Sequence, residues 1–262
     1  MMDAQKELTV VEHTLQQLYR ENSLLYSFQP DYSKIAQVMQ LYEKISFFEN
    51  TYIILYDHKN MQLLYTSENI VNLLGYNSED LRAMGMRFYF KLFHPSHKGF
   101  PFRQIKIEAK LYNKWSAKPM INRKIYLAGL KLVHKNGQVR RGFFKVKALV
   151  VNEHNLPELS IIQAEDFSHF FKGDVYWLRL ALEEFTYCYV HNSGKKEYKD
   201  LISPSELSVL QLVAKNKSTK EISELLYLST GTIDSHRKNM IARSGAINTT
   251  ALVHLCKMAD IL

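Results

Sequence analysis

The chain has 262 residues, 46% of them hydrophobic and 23% charged, with a formal net charge of +8. That length fits two globular domains, each able to bury its own core, and the scarcity of Gly (10) and Pro (6) excludes collagen-like and low-complexity chains. Two cysteines, no apolar run near the ~18–20 residues of a membrane span, and an N-terminus without a signal core point to a cytoplasmic, reducing home with no membrane.

Residues 1–45 carry helical spacing at Leu8, Val11, Leu15 and Leu18, then at Ile35, Val38, Leu41 and Tyr42. Pro30 divides this N-terminal helical extension into two helices, which cover a core or contact a second copy. Thr51–Tyr56 and Met61–Thr66 read as strands joined by the polar turn Asp57–Asn60. After Gly75, the run Asn77-Ser78-Glu79-Asp80 starts a helix, and the segment FHPSH (93–97) follows.

The next predicted helix, Phe100–Lys118, places Lys106, Lys110, Lys114 and Lys118 on one face, with Ile107, Leu111 and Trp115 beside them. It belongs to a basic block: Lys98–Lys147 holds 14 basic residues and one acidic residue, Glu108. Such a block attracts anions; the plainer reading is a solvated helix face followed by polar strand faces. Three strand-like runs complete the region at 124–137, 138–154 and 157–168. Turns at Lys135-Asn136-Gly137 and Asn155-Leu156-Pro157 separate them.

Two strands, short helices, one longer helix and three antiparallel strands resemble a PAS domain over 46–170. The segments YTSENIVNLLGYNSEDL, FHPSH, HKNGQVRR and QAEDFS carry the resemblance, with His97 standing where Asp is common. The resemblance implies a sensor module but names no ligand. No cysteine precedes residue 188, so a flavin–thiol adduct is disfavoured. The helix Phe100–Lys118 has no histidine, so a His-ligated haem is disfavoured too. His94 and His97 lack the further ligands a metal needs, so no metal is expected. The cofactor is unknown; a small-molecule ligand or a protein interaction remains.

Residues 171–200 read as a hairpin or linker. Tyr, Val, Thr and Trp within Asp174–Asn192 favour a hairpin around Glu183-Glu184, and His191–Asp200 is polar.

Four short helices are predicted in 201–262. Ser203-Pro204-Ser205-Glu206 is a capping box with Pro at the first helical position, followed by Leu207, Leu210, Val213 and Ala214. Asn216 suits the left-handed stop. Ser218-Thr219-Lys220-Glu221 is a second capping box, followed by Ile222, Leu225 and Leu226. Ser229 caps a third helix with Ile233, Met240 and Ile241 on its buried side. Asn248 caps a fourth with Leu252 and Leu255 inward. Tight joints between such helices make a helix-turn-helix whose third helix enters the major groove.

The segments STKEIS, LSTGTIDSHRKNM and NTTALV resemble the LuxR-type DNA-binding domain of bacterial regulators. The implied fold class is α+β: a PAS-like antiparallel sheet with helices, then a four-helix LuxR-type helix-turn-helix. The implied partner is double-stranded DNA, bound by a homodimer. With Ile233 and Met240 inward, Asp234, Ser235 and Lys238 face base edges: Lys238 donates to guanine, Asp234 accepts from a cytosine amino group. Thr219, Lys220, Thr230, Gly231, Thr232, His236 and Arg237 are assigned to the backbone, with His236 on the buried edge. Asp234 departs from the family, where a basic residue is common; an i,i+4 ion pair with Lys238 is its other reading. Asn216 and Ser208 depart as well, standing where Gly and Glu are frequent. The family's dimer helix is the fourth, and its outward residues are expected to include Thr250, Val253 and Cys256.

No nucleotide-binding loop, HExxH or nucleophile elbow occurs, so the chain is not expected to be an enzyme. The reading is a transcriptional regulator in which the PAS-like domain senses a signal or partner. The alternatives are a constitutive dimeric DNA-binding protein and an enzyme with a DNA-binding tail.

Overall fold

The computed structural model describes residues 51–58, 60–115, 123–152, 156–182, 185–191 and 197–262. The helices expected over 1–45 lie outside them. The chain divides into two compact units. The first holds residues up to Lys124 with Lys131–Arg140 and Phe144–Asp166; the second holds Ile125–Leu130, Arg141–Phe143 and Phe167–Leu262.

In the first unit, β1 (Thr51–Asp57) and β2 (Gln62–Thr66) pair antiparallel. Asp57 closes their turn by accepting from the Asn60 N–H at 3.0 Å and from Asn60 Nδ2 at 2.7 Å. Short helices α1 (Ile70–Leu74), α2 (Ser78–Met84) and α3 (Met86–Lys91) follow, then a 3-10 turn at Pro95–His97 and the longer helix α4 (Phe100–Trp115). Strands β3 (Lys124–Val133), β4 (Val139–Val151) and β5 (Pro157–Asp166) complete a sheet ordered β2-β1-β5-β4-β3, β3 and β4 giving residues to both units. β1 runs antiparallel to β5, with Ile53, Leu55 and Leu159 buried between the strands and their neighbours. This is the PAS-like layout the sequence implies.

Two local devices fix the helices. Asn77 caps α2 by accepting from the Asp80 N–H at 2.7 Å. Gly75 ends α1 in the left-handed region at φ +74, where an added Cβ would lie 2.6 Å from the His134 ring. Only glycine meets both demands.

The basic block is less uniform than a solvated face. Lys106 and Lys110 on α4 are exposed and Ile107 and Leu111 buried, as the spacing requires. But Arg123 is buried, Arg140 pairs with Asp166 at 3.2 Å, and Lys135 reaches Asp80 at 3.5 Å. Lys91 and Lys135 both stand over the Tyr76 ring, at 5.5 and 5.3 Å. His94 accepts from the Ser96 N–H, and buried His97 accepts from the Lys131 N–H at 2.9 Å through Nδ1. Both rings therefore serve the turn and the strand beside it. Among the described residues no group of three or more His, Cys, Asp or Glu could hold a metal ion, and no helix is long and apolar enough to cross a membrane.

In the second unit, β6 (Trp177–Ala181) and β7 (Thr186–Val190) form an antiparallel hairpin, Trp177 opposite Val190 and Ala181 opposite Thr186. β8 (Glu197–Tyr198) adds two residues, giving the order β3-β6-β7-β8. Helices α5 (Pro204–Ala214), α6 (Thr219–Leu226), α7 (Thr230–Ser244) and α8 (Thr249–Met258) follow. One apolar core joins strands to helices: Tyr126, Phe143 and Trp177 share it with Leu201, Val209, Met240 and Leu255.

Polar ties cross the same core. Arg179 donates from Nε and Nη2 to Asp200, at 2.7 and 2.9 Å, and from Nη1 to the Ala259 carbonyl at 2.9 Å. The Tyr126 hydroxyl donates to Asp260 at 2.7 Å. Lys172 N–H donates to the Gly245 carbonyl at 2.8 Å and Ile247 N–H to the Phe170 carbonyl at 3.0 Å, bracketing a one-residue β-bridge between Phe171 and Ala246. Gly245 caps α7 at φ +72, and an added Cβ would lie 2.8 Å from the Val175 side chain.

Candidate nucleic-acid interface

Helices α5 and α6 both begin with complete capping boxes. Ser203 accepts from the Glu206 N–H while the Glu206 carboxylate accepts from the Ser203 N–H; Ser218 and Glu221 repeat the exchange. Glu221 is also held by Lys217 at 2.8 Å, and these bonds pull its carboxyl down to about 2. Asn216 is left-handed at φ 60, ending α5 where the sequence places the stop. Tyr227 is left-handed at φ 54 and ends α6. The turn into α7 is therefore three residues, Tyr227–Ser229, and Ser229 caps α7 by accepting from the Thr232 N–H at 3.1 Å.

α7 presents two unlike faces. Ile233, Met240 and Ser244 are buried, and Ile241 packs against the core beside them. Gly231, Asp234, Ser235, Lys238, Asn239 and Ala242 are exposed. Among the described residues Asp234 makes no ion pair with Lys238, so the i,i+4 reading of that pair is not what the structure holds. Ser235 donates back to the Gly231 carbonyl at 2.8 Å, leaving its oxygen free to accept. A Cβ added at Gly231 would meet nothing nearer than Ser229 Oγ at 3.8 Å. The fold itself leaves that space open.

The profile for bacterial regulatory proteins of the luxR family matches residues 200–256. This segment is a luxR-family domain. A curated relative, the transcriptional regulatory protein MctR of Rhizobium johnstonii, is 34% identical over 58 residues, which is 22% of this chain and 27% of that protein. The match thus spans about a quarter of the relative's length. Solved structures of loose similarity include a Vibrio cholerae VqmA dimer in the absence of target DNA, with TM-score 0.31 and 16% identity over 82% of this chain and 86% of that one. The phage VqmA–DPO complex has TM-score 0.30 and 14% identity over 87% and 89%. A PAS domain from Colwellia psychrerythraea has TM-score 0.36 and 12% identity over 50% and 98%. Likenesses this distant bear on no residue of this chain.

Within the luxR-family domain the residues expected at base edges, Asp234, Ser235 and Lys238, share one exposed face. Of those assigned to the backbone, Lys220, Thr230, Gly231 and Thr232 are exposed at the starts of α6 and α7, and Thr219 is half-buried there. His236 is half-buried, as its place on the packed edge suggests. Two placements need correction. Cys256 does not face outward on α8: it is 0% exposed and sits in the core, where burial pushes its thiol up to about 12. The i,i+4 spacing from Leu252 puts it on the inward side. Thr250 is exposed and Val253 half-buried. Leu225 does not join the buried stripe of α6; it is 55% exposed, beside Tyr227 at 95%.

Sequence reasoning missed Asn239, which follows Ser235 by one helical turn and so lies on the exposed face. It also missed that Arg237 follows Ile233 by one turn and so belongs beside the buried stripe. A charged residue there signals a specific partner, and the structure supplies one: Nη1 of Arg237 donates to Thr219 Oγ1 at 2.9 Å.

Proposed function

We propose that this chain is a DNA-binding transcriptional regulator in which α7 reads base edges in the major groove and the PAS-like unit receives a signal or partner. The observation that carries the reading is the exposed face of α7. Asp234 and Ser235 stand one turn before Lys238 on a helix whose other side is fixed in a core and whose joint with α6 is three residues long. The α6 and α7 starts beside it offer Lys220, Thr230 and Gly231 to phosphates. The regulator acts as a cytoplasmic homodimer, with Thr250 and Val253 of α8 toward the second copy. The ligand of its PAS-like unit is a small molecule or a protein partner, not a flavin–thiol adduct or a His-ligated haem. The chain carries no enzymatic step.

Selection of bound sequences from random duplex DNA, with and without cell extract, tests this reading; an inverted repeat with half-sites about one turn apart is the expected product. Lys238→Ala then loses roughly 1–3 kcal/mol of discrimination at one base pair. Asp234→Ala relaxes preference at one position while tightening non-specific binding, because an exposed carboxylate repels every phosphate. Titrations on single-base variants measure both, and unchanged preference in both variants sinks the assigned face.

Salt dependence gives a second check. Residues 201–262 hold seven basic and five acidic residues. Lys217 is spent on Glu221 and Arg243 on Glu206. Few phosphates are therefore neutralised per protomer, and the slope of log K against log salt is shallow, at about −0.9 per phosphate. A steep slope in the full chain means that the Lys98–Lys147 block also touches DNA.

A further inference from the structure

The two residues assigned separately to the DNA backbone, Thr219 and Arg237, are one structural unit. Thr219 is the first residue of α6 and Arg237 lies in the middle of α7, 18 positions later. The guanidinium donates to the Thr219 hydroxyl at 2.9 Å. Arg237 is half-buried on the edge of the packed stripe, and its Nε is buried with no hydrogen-bond partner. Among the described residues no carboxylate pairs with it. The bond to Thr219 is thus what holds a charged group against the apolar side of α7, where a hydrocarbon would pack at less cost.

We propose that Arg237 is a positioning residue for base readout: its bond to Thr219 fixes the angle between the start of α6 and the exposed face of α7. The inference rests on the DNA-binding reading and deepens it. α6 begins at its capping box and grips a phosphate there, whereas Asp234, Ser235 and Lys238 on α7 must meet base edges at hydrogen-bond distance. Bidentate contacts tolerate little displacement, so an error in the angle between the helices costs the base contacts more than the phosphate contacts. The helices are also joined by a three-residue turn, in which Leu228 exchanges hydrogen bonds with Ser223 of α6, and by the core that holds buried Ile222 and Ile233. Apolar contact does not fix rotation about the helix axis as a directed bond does.

The test is a double-mutant cycle in the full chain. Thr219→Val removes the acceptor and keeps shape, and Arg237→Met removes the donor and keeps length. Each variant is titrated against the selected duplex and against a scrambled duplex at several salt concentrations. The expected result is a larger loss on the selected duplex for both single variants. The ratio of the two affinities falls roughly tenfold in each, about the worth of one misplaced base contact. The double variant is no worse than Arg237→Met alone.

Losses equal on both duplexes, additive in the double variant, and a salt slope shallower by about 0.9 for Arg237→Met would make the pair two independent phosphate contacts and overturn the proposal. An unchanged ratio in Thr219→Val overturns it too. Wild-type chain that prefers no duplex at all defeats the DNA-binding reading instead, and the positioning role with it. Hydrogen exchange at the α6 N-terminus in the free variants shows that a loss reflects helix geometry and not unfolding.

Discussion

Replacing Trp177 with Ala is expected to lower the stability of the second unit by about 3–5 kcal/mol, the range for a large aromatic removed from a core. Its side chain is 0% exposed and stands edge-on to Phe143, with ring centroids 6.1 Å apart. It also donates from Nε1 to the Ser244 carbonyl at 3.2 Å, in the last turn of α7. The loss therefore has two parts: a cavity beside Phe143 in the shared core, and an orphaned buried carbonyl. Trp177→Phe keeps most of the volume and forfeits the donor, so it should cost less, about 1–3 kcal/mol. Urea unfolding followed by far-UV circular dichroism compares the two. Equal midpoints for wild type and Trp177→Ala would mean that the strands and helices of this unit do not share a core.

Glu206→Ala is the second large effect, about 3–5 kcal/mol, because it strips one partner from a buried ion pair. Glu206 accepts from the Ser203 N–H at 2.9 Å, from the Ser203 hydroxyl at 2.8 Å and from Arg243. Its side chain is 6% exposed and that of Arg243 16%. Arg243 also donates to the Leu201 carbonyl at 2.6 Å and lies over the Tyr198 ring. Losing Glu206 leaves this guanidinium without its counter-charge. Removing both charges, as Glu206→Ala with Arg243→Met, should cost less than the two single losses together.

The same site sets a pH dependence. Burial alone would raise the Glu206 carboxyl, but the bonds from Ser203 and Arg243 outweigh it and hold the folded pKa below the usual carboxylate range. A depressed acid contributes stability that is complete above its unfolded pKa and fades as pH falls through the folded value. Acidification below the ordinary carboxylate range should therefore lower the unfolding midpoint of wild type more than that of Glu206→Ala. A midpoint equally acid-sensitive in both would place the titrating group elsewhere.

Much of this was legible in the sequence, and for physical reasons. The capping boxes at Ser203 and Ser218 and the Asn248 cap are local chemistry, readable three residues at a time, and Asn248 does accept from the Ala251 N–H at 2.8 Å. The left-handed Asn216 is equally local. The Tyr, Val, Thr and Trp residues within Asp174–Asn192 pointed to strands, and β6 and β7 stand there. What the sequence hid is long-range. No periodicity tells that Arg179 meets Ala259, 80 positions away, or that Trp177 reaches Ser244. Leu225 looked buried because a stripe at i, i+3 and i+4 says which residues share a face, not how wide the covered face is. For Cys256, a family resemblance names the dimer helix but not its outward face, and the i,i+4 spacing from Leu252 puts this residue inward.

The one-residue bridge between Phe171 and Ala246 bears on where this protein can be cut. A fragment beginning at Leu201 looks reasonable from the helices alone. It would lose the carbonyl of Phe170 and the amide of Lys172, which satisfy the α7–α8 joint, and Arg179, which holds Asp200 and the end of α8. It would also uncover Leu201, Leu252 and Cys256, now in the core shared with Phe167, Phe171 and Trp177. Such a fragment would be sticky and prone to fraying at the end of α7. One starting upstream of Phe167 would retain the β6–β7 hairpin as a built-in splint. Because Tyr126 and Phe143 belong to the same core, a fragment that keeps it whole must begin before Ile125.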